Sequence, residues 1–167
     1  DPKKGIKYNN RTPRLNDGEK EMYTKWGYNP INLLVTQFLF KLDDPRAISW
    51  LSKILVEDAA PLIRWLILNK FARMTNYSDD VVRSILKPLK KDYPALRAKA
   101  ARTLGEMKAT SSVASLCHII DSDSDTNIVY EAITAVGSIG DLGAIHTLVD
   151  ELINNDRFEK KRQLAAK

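Results

Sequence analysis

The chain carries one cysteine in 167 residues, Cys117, so no internal disulfide is available and the fold must be held by packing alone. A lone thiol fits a reducing compartment, and a cytoplasmic location is the expectation. Long hydrophobic runs are also missing. The richest stretches, INLLVTQFLF and PLIRWLIL, are short and interrupted by polar residues, whereas a membrane-spanning helix needs about 20 apolar residues. No leader pattern is present, and a start at Asp1 rather than Met reads as trimmed. Histidine is scarce as well: His118 and His146 lie out of register with each other, and with one cysteine they complete no metal set. No cofactor is implied. Basic residues are absent from one long stretch. Residues 109–156 hold eight acids and no Lys or Arg, whereas residues 61–108 hold 11 basic and 4 acidic groups. The flanks are basic, with 10 against 8 in residues 1–60 and 5 against 1 in residues 157–167. The net charge of +5 therefore belongs to a chain that is electrically polar along its length.

What is present is a repeat. Apolar residues at 44% and charged residues at 28% are ordinary for one globular unit of this length. DDPRAISWL (Asp43–Leu51) and GDLGAIHTL (Gly140–Leu148) share Asp, two spacers, Ala-Ile, two spacers and Leu, 97 residues apart. Similar positions fall between them. Ile48, Val82, Val113 and Ile145 form one column, and Leu51, Ile85, Leu116 and Leu148 a second, with steps of 34, 31 and 32. A preceding segment supplies Val35, Leu68, Ala101 and Ile133, then Phe38, Phe71, Leu104 and Val136, with steps of 33, 33 and 32. Four columns agree on a period near 32.

Each unit reads as two helices. PALRAKAARTLGEM places Leu96, Ala100, Ala101, Leu104 and Met107 on one helical face, and VASLCHII places Val113, Leu116, Cys117 and Ile120 on a second. Proline stands at a first helical position at Pro30, Pro45, Pro61 and Pro94, Ser78 and Asp141 are placed to cap, and Pro88 predicts a kink or early end near Lys87. Such pairs stack into a right-handed α-solenoid, here all-α with about four to five helix pairs, because one pair cannot bury its own apolar face.

LRAKAARTLGEM and IVYEAITAVGSIGDLGAIHTLVDEL resemble HEAT-like repeats of the type named after the phycobilisome lyases. Arg97, Ala100, Ala101, Leu104, Gly105 and Met107 carry the first half of that pattern. Ala132, Val136, Gly137, Ile139, Gly140, Asp141, Ala144, Ile145 and Leu148 carry nearly all of it, and Asp44, Ala47, Ile48 and Leu51 carry the second half. The likeness covers roughly residues 30–154 and weakens over 61–90, where Ala72 replaces the glycine. It implies a solenoid, and it allows a bilin lyase or lyase subunit. Residues 1–16 read as a disordered basic arm and residues 17–167 as one solenoid. Within the latter, residues 17–28 cap it through Met22, Tyr23 and Trp26, and residues 155–167 form a partial repeat or second cap.

Candidate sites follow from charge and face. Cys117 lies on an inward face and reads as a core residue. DSDSDTN, residues 121–127, lacks the glycine and distal glutamate of a calcium loop and reads as a capping loop. Gly137 and Gly140 read as helix packing and termination. Phe38 and Phe71 are assigned to the core, and core or inter-unit packing is the favoured reading for Trp50 and Trp65. The basic stripe Arg64, Lys70, Arg73, Lys90, Lys91, Arg97, Lys99 and Arg102 suits phosphates or an acidic protein if it faces solvent. Arg64 and Arg97, one period apart, read instead as ladder residues bonded to Asp92 or Asp125. Second helices line the concave face of a solenoid, which makes Ser49, Lys53, Arg83, Lys87, Ser115 and His118 the expected partner contacts. No nucleophile–base pair stands out. The expected function is a non-enzymatic scaffold for a protein partner, with nucleic-acid binding by residues 61–108 as the alternative, and neither composition nor spacing specifies an oligomeric state.

Overall fold

A computed structural model describes residues 30–42, 44–57 and 60–153. Eight α-helices occur among the described residues: α1 (Pro30–Lys41), α2 (Pro45–Val56), α3 (Pro61–Phe71), α4 (Asp79–Lys90), α5 (Pro94–Glu106), α6 (Val113–Ser122), α7 (Thr126–Ile139) and α8 (Ile145–Ile153). Short 3-10 turns, Thr110–Ser112 and Leu142–Ala144, lead into α6 and α8. The arm at 1–16, the cap at 17–28 and the partial repeat at 155–167 lie outside the described residues.

The helix ends are set by local chemistry. Pro30, Pro45, Pro61 and Pro94 each occupy the first residue of a helix, where the missing N–H has no partner to lose. Asp44 caps α2 by accepting from Arg46 N at 2.8 Å, and Asp125 caps α7 by accepting from Asn127 N at 2.9 Å. Ser78 occupies the N-cap of α4 but makes no side-chain cap bond. Asp79 and Asp80 in the first turn provide the negative charge favoured at a helix N-terminus. Pro88 does not end α4. The helix runs to Lys90 with Pro88 and Leu89 both buried, so core packing holds the last turn despite the lost hydrogen bond. Gly140, with φ of 73°, ends α7 in the left-handed conformation that glycine adopts without steric cost. The same position one unit earlier is Lys108, with φ of 53°.

First helices stack on first helices: α1 on α3, α3 on α5, and α5 on α7. Second helices stack likewise, α2 on α4 and α6 on α8. The result is an α-solenoid with one continuous core, from Leu51 and Leu55 through Ile67, Phe71, Ile85 and Leu104 to Leu116, Ile120, Ile128 and Val136. α5 and α7 approach each other closely at Gly105. A Cβ on Gly105 would stand 2.6 Å from Ala135 Cα and 2.8 Å from its Cβ. Backbone-to-backbone packing of this kind requires glycine at position 105.

The repeat columns hold through the middle of the molecule and fail at its ends. Leu68, Ala101, Phe71, Leu104 and Val136 are buried as expected, while Ile133 and Leu148 are half-buried against the core. In α1, however, the buried face is Thr36 with Leu39 and Phe40, and Val35 and Phe38 are exposed. The true step from the first unit to the second is 32 rather than 33. A one-residue slip rotates a helix by about 100° and moves a whole stripe off the core. Ile145 is also exposed, because no further unit covers it among the described residues. Trp50, expected in the packing, is 56% exposed, whereas Trp65 packs against the core.

Gly105 and Gly137 make a controlled pair, since no heavy atom lies within 4 Å of a Cβ added at Gly137. Gly105→Ala is expected to cost about 1–3 kcal/mol through overpacking. Gly137→Ala is expected to be neutral or to stabilise by up to about 1 kcal/mol through helix propensity. Urea denaturation of the two variants checks both signs.

Candidate functional site

A groove of about 1070 Å³ lies between α2 and α4. One wall is α2 along its length (Ile48, Ser49, Ser52, Lys53 and Val56). The other is the start of α4 (Asp80, Val81, Arg83 and Ser84), and the turn after α3 closes one end with Arg73, Met74 and Tyr77. Residues far apart in sequence meet here because α2 and α4 are second helices of successive units. Tyr77 is fixed by its hydroxyl, which donates to Met107 O at 2.9 Å, and so ties the turn to the end of α5.

Charge in the groove is unevenly paired. Asp44 is held by Arg46, whose Nε donates to its carboxylate at 3.1 Å and Nη2 at 2.7 Å. The Arg46 side chain and then the Arg46 backbone N–H push the Asp44 carboxyl down from 3.8 to about 2. Arg83 donates to Asp80 at 2.6 Å, and that bond raises the arginine's pKa. Lys53 lies over the Trp50 ring, 5.0 Å from its centroid. Lys70 donates to Phe40 O at 3.0 Å. Neither lysine has an acidic partner among the described residues, nor does the exposed Arg73.

Of the residues expected to contact a partner, Ser49, Lys53 and Arg83 line this groove. Lys87 does not point into it. Its ammonium donates to Val56 O and bridges α4 to the C-terminus of α2. Ser115 and the exposed His118 belong to α6 and lie outside the groove. The groove residues that sequence reasoning missed, Met74 and Tyr77, sit in an irregular turn where helical periodicity carries no signal.

The basic stripe is divided by the fold. Arg64 is buried and paired with Asp92, whose side chain is 2% exposed. Arg97 pairs with Asp123 rather than Asp125 and donates from Nε to Leu89 O at 3.1 Å. Asp125 serves as the α7 cap, so DSDSDTN is indeed a capping loop. Arg102 grips Glu131 of the next first helix, with Nε to Oε2 at 3.0 Å. Lys99 is largely buried over the Trp65 ring, 5.6 Å from its centroid, and burial lowers its pKa. Only Lys70 and Arg73 of the stripe reach the groove, and Lys90 and Lys91 are exposed at the end of α4. Cys117 is half-buried against the core. Among the described residues no group of three or more His, Cys, Asp or Glu is placed to hold a metal ion. No helix among them is long and apolar enough to cross a membrane.

Stacked helix pairs, a glycine-mediated contact between first helices and a groove between second helices define an α-solenoid repeat protein. The sequence model of HEAT repeats matches residues 82–167, just over half of the chain. The chain belongs to the HEAT repeat family. No curated protein matches it at a significant level.

Two tests follow from the ion pairs. Asp92→Ala leaves the Arg64 guanidinium buried without its counter-charge and is expected to cost roughly 3–5 kcal/mol, whereas the double variant Arg64→Met/Asp92→Leu is expected to recover most of the loss. Thermal denaturation of the three proteins decides it. The lowered Asp44 pKa means that its ion pair contributes stability above the ordinary carboxylate range and loses it as pH falls through about 2. An NMR titration of the Asp44 carboxyl carbon is expected to show that midpoint, and Arg46→Ala to return it towards 3.8.

Proposed function

We propose that this protein is a non-enzymatic interaction scaffold that seats a segment of a partner protein in the groove between α2 and α4. The observation that carries this reading is the groove itself. It combines apolar contact area from Ile48, Met74 and Tyr77 with Lys53, Lys70 and Arg73, cations that have no acidic partner among the described residues. HEAT repeats generally serve as protein-interaction scaffolds, which favours the same reading.

The engagement of Arg64, Arg97 and Arg102 in ion pairs weighs against a nucleic-acid role, because each of those guanidiniums already has a carboxylate partner. A phosphate-tracking surface needs several free cations in a row, and its affinity falls steeply with salt. The fold leaves too few of them together.

The test is capture from native lysate on the immobilised chain, with and without nuclease, beside Lys53→Glu/Arg73→Glu as a control. A protein retained after nuclease and weakened by the double variant by roughly tenfold, about 1.4 kcal/mol, is the expected result. Material lost on nuclease treatment and eluted at modest salt would move the function to nucleic acid.

A further inference from the structure

The charge left over in the groove has one sign. Two of the lining carboxylates are neutralised within the molecule, Asp44 by Arg46 and Asp80 by Arg83. Lys53, Lys70 and Arg73 then stand against one remaining carboxylate, Glu57, and none of these four has an ion-pair partner among the described residues. The three cations converge from three elements: Lys53 from α2, Lys70 from α3 and Arg73 from the turn that follows. Lys53 lies over the Trp50 ring and is exposed. Lys70 donates one ammonium proton to Phe40 O, which leaves two donors. Arg73 is exposed and offers the planar fork that suits a carboxylate. Glu57 follows the last residue of α2, and Lys87, which donates to Val56 O, brings that end beside the last turns of α4, away from the turn that holds Arg73.

The rest of the lining sets the size and the apolar character of what fits. Ile48, Met74 and Tyr77 each pack against the core and are only half-buried, so each keeps apolar surface for a further contact. The wall from Ile48 to Val56 is about 12 Å long at the helical rise of ~1.5 Å per residue. That length takes about four residues of extended chain at ~3.3 Å each. The flanking sequences of the chain itself have the wrong sign to fill it. Residues 1–29 carry seven basic and four acidic groups, and residues 154–167 carry five and two, so both repeat the surplus of the groove instead of complementing it.

We propose that the segment seated between α2 and α4 is a short stretch of a partner protein that is both acidic and apolar. Its aliphatic or aromatic side chains rest on Ile48, Met74 and Tyr77, and its Asp or Glu carboxylates meet Lys53, Lys70 and Arg73. The inference rests on the groove being the partner site and adds the chemistry of what enters it. Apolar contact supplies affinity, and charge supplies selection: a Lys or Arg brought to the same place would face three cations.

A phage-displayed library of random peptides, panned on the immobilised full chain, tests this. Enriched peptides are expected to combine Asp or Glu with Leu, Phe or Met and to be depleted in Lys and Arg. Panning on Lys53→Glu/Arg73→Glu is expected to invert the charge preference while keeping the apolar one, and the wild-type peptides are expected to bind that variant roughly tenfold more weakly. Ser49→Trp fills the groove from an exposed position on α2 and is expected to abolish binding of the selected peptides. Ser49→Tyr repeats the block should Ser49→Trp prove unfolded by circular dichroism. Peptides that are lost on Ser49→Trp but show no acidic bias, or the same selection by the wild type and the charge-reversed variant, would overturn this inference and leave the groove as the partner site. Peptides that bind Ser49→Trp as well as the wild type, or a library from which nothing is enriched, would overturn the groove reading and this inference with it.

Discussion

Helix α5 lies against α7 with almost no space between the backbones, and the rest of the array is arranged around that contact. A first helix here is apolar on more than one side: Leu96, Ala100 and Leu104 of α5 are fully buried, and so are Ala101 and Thr103. One partner helix cannot cover so wide a stripe. The stripe is buried only when α4, the second helix of the preceding unit, and the first helices before and after, α3 and α7, all pack on it. Glycine at 105 lets the following helix come close enough to exclude water along its length. Stability in such an array is therefore shared between neighbours, and an unpartnered end leaves apolar surface uncovered.

Polar groups reinforce the same stacking. Arg64 with Asp92 and Arg97 with Asp123 each tie the start of a first helix to the loop that ends its unit, and the Arg97 guanidinium also satisfies a terminal carbonyl of α4. Arg102 with Glu131 crosses from one unit to the next. Buried pairs of this type add little net stability over apolar residues but penalise any slip that separates them. Their placement accounts for a chain in which 11 basic residues crowd into one stretch without producing a cationic surface of that extent.

The groove arises where this regularity is interrupted. After α3 the chain makes an irregular turn, Ala72–Ser78, instead of the short 3-10 entry used before α6 and α8. That turn contributes Arg73, Met74 and Tyr77 to the groove lining, and Tyr77 is anchored on Met107 O. The unit in which the family pattern is weakest is therefore the unit that shapes the concave surface.

Periodicity alone determined the helical class, the number of helix pairs among the described residues and most of the core, because burial of a helix face imposes a spacing that any sequence of this fold must show. Prolines and aspartates marked the helix starts for reasons local to a few residues. Ambiguity entered where a single residue of register matters: Val35 and Phe38 fit a column by spacing, yet Thr36 and Leu39 occupy it, since one residue is about 100° of helix and both stripes of α1 are apolar. Whether a cation is free was equally beyond the one-dimensional pattern. The Arg64–Asp92 pair was legible as a ladder, but Arg97 selected Asp123 over Asp125, and Lys87 turned away to cap α2. Those choices depend on distances between helices two elements apart, and only the tertiary structure brings such groups within reach of each other.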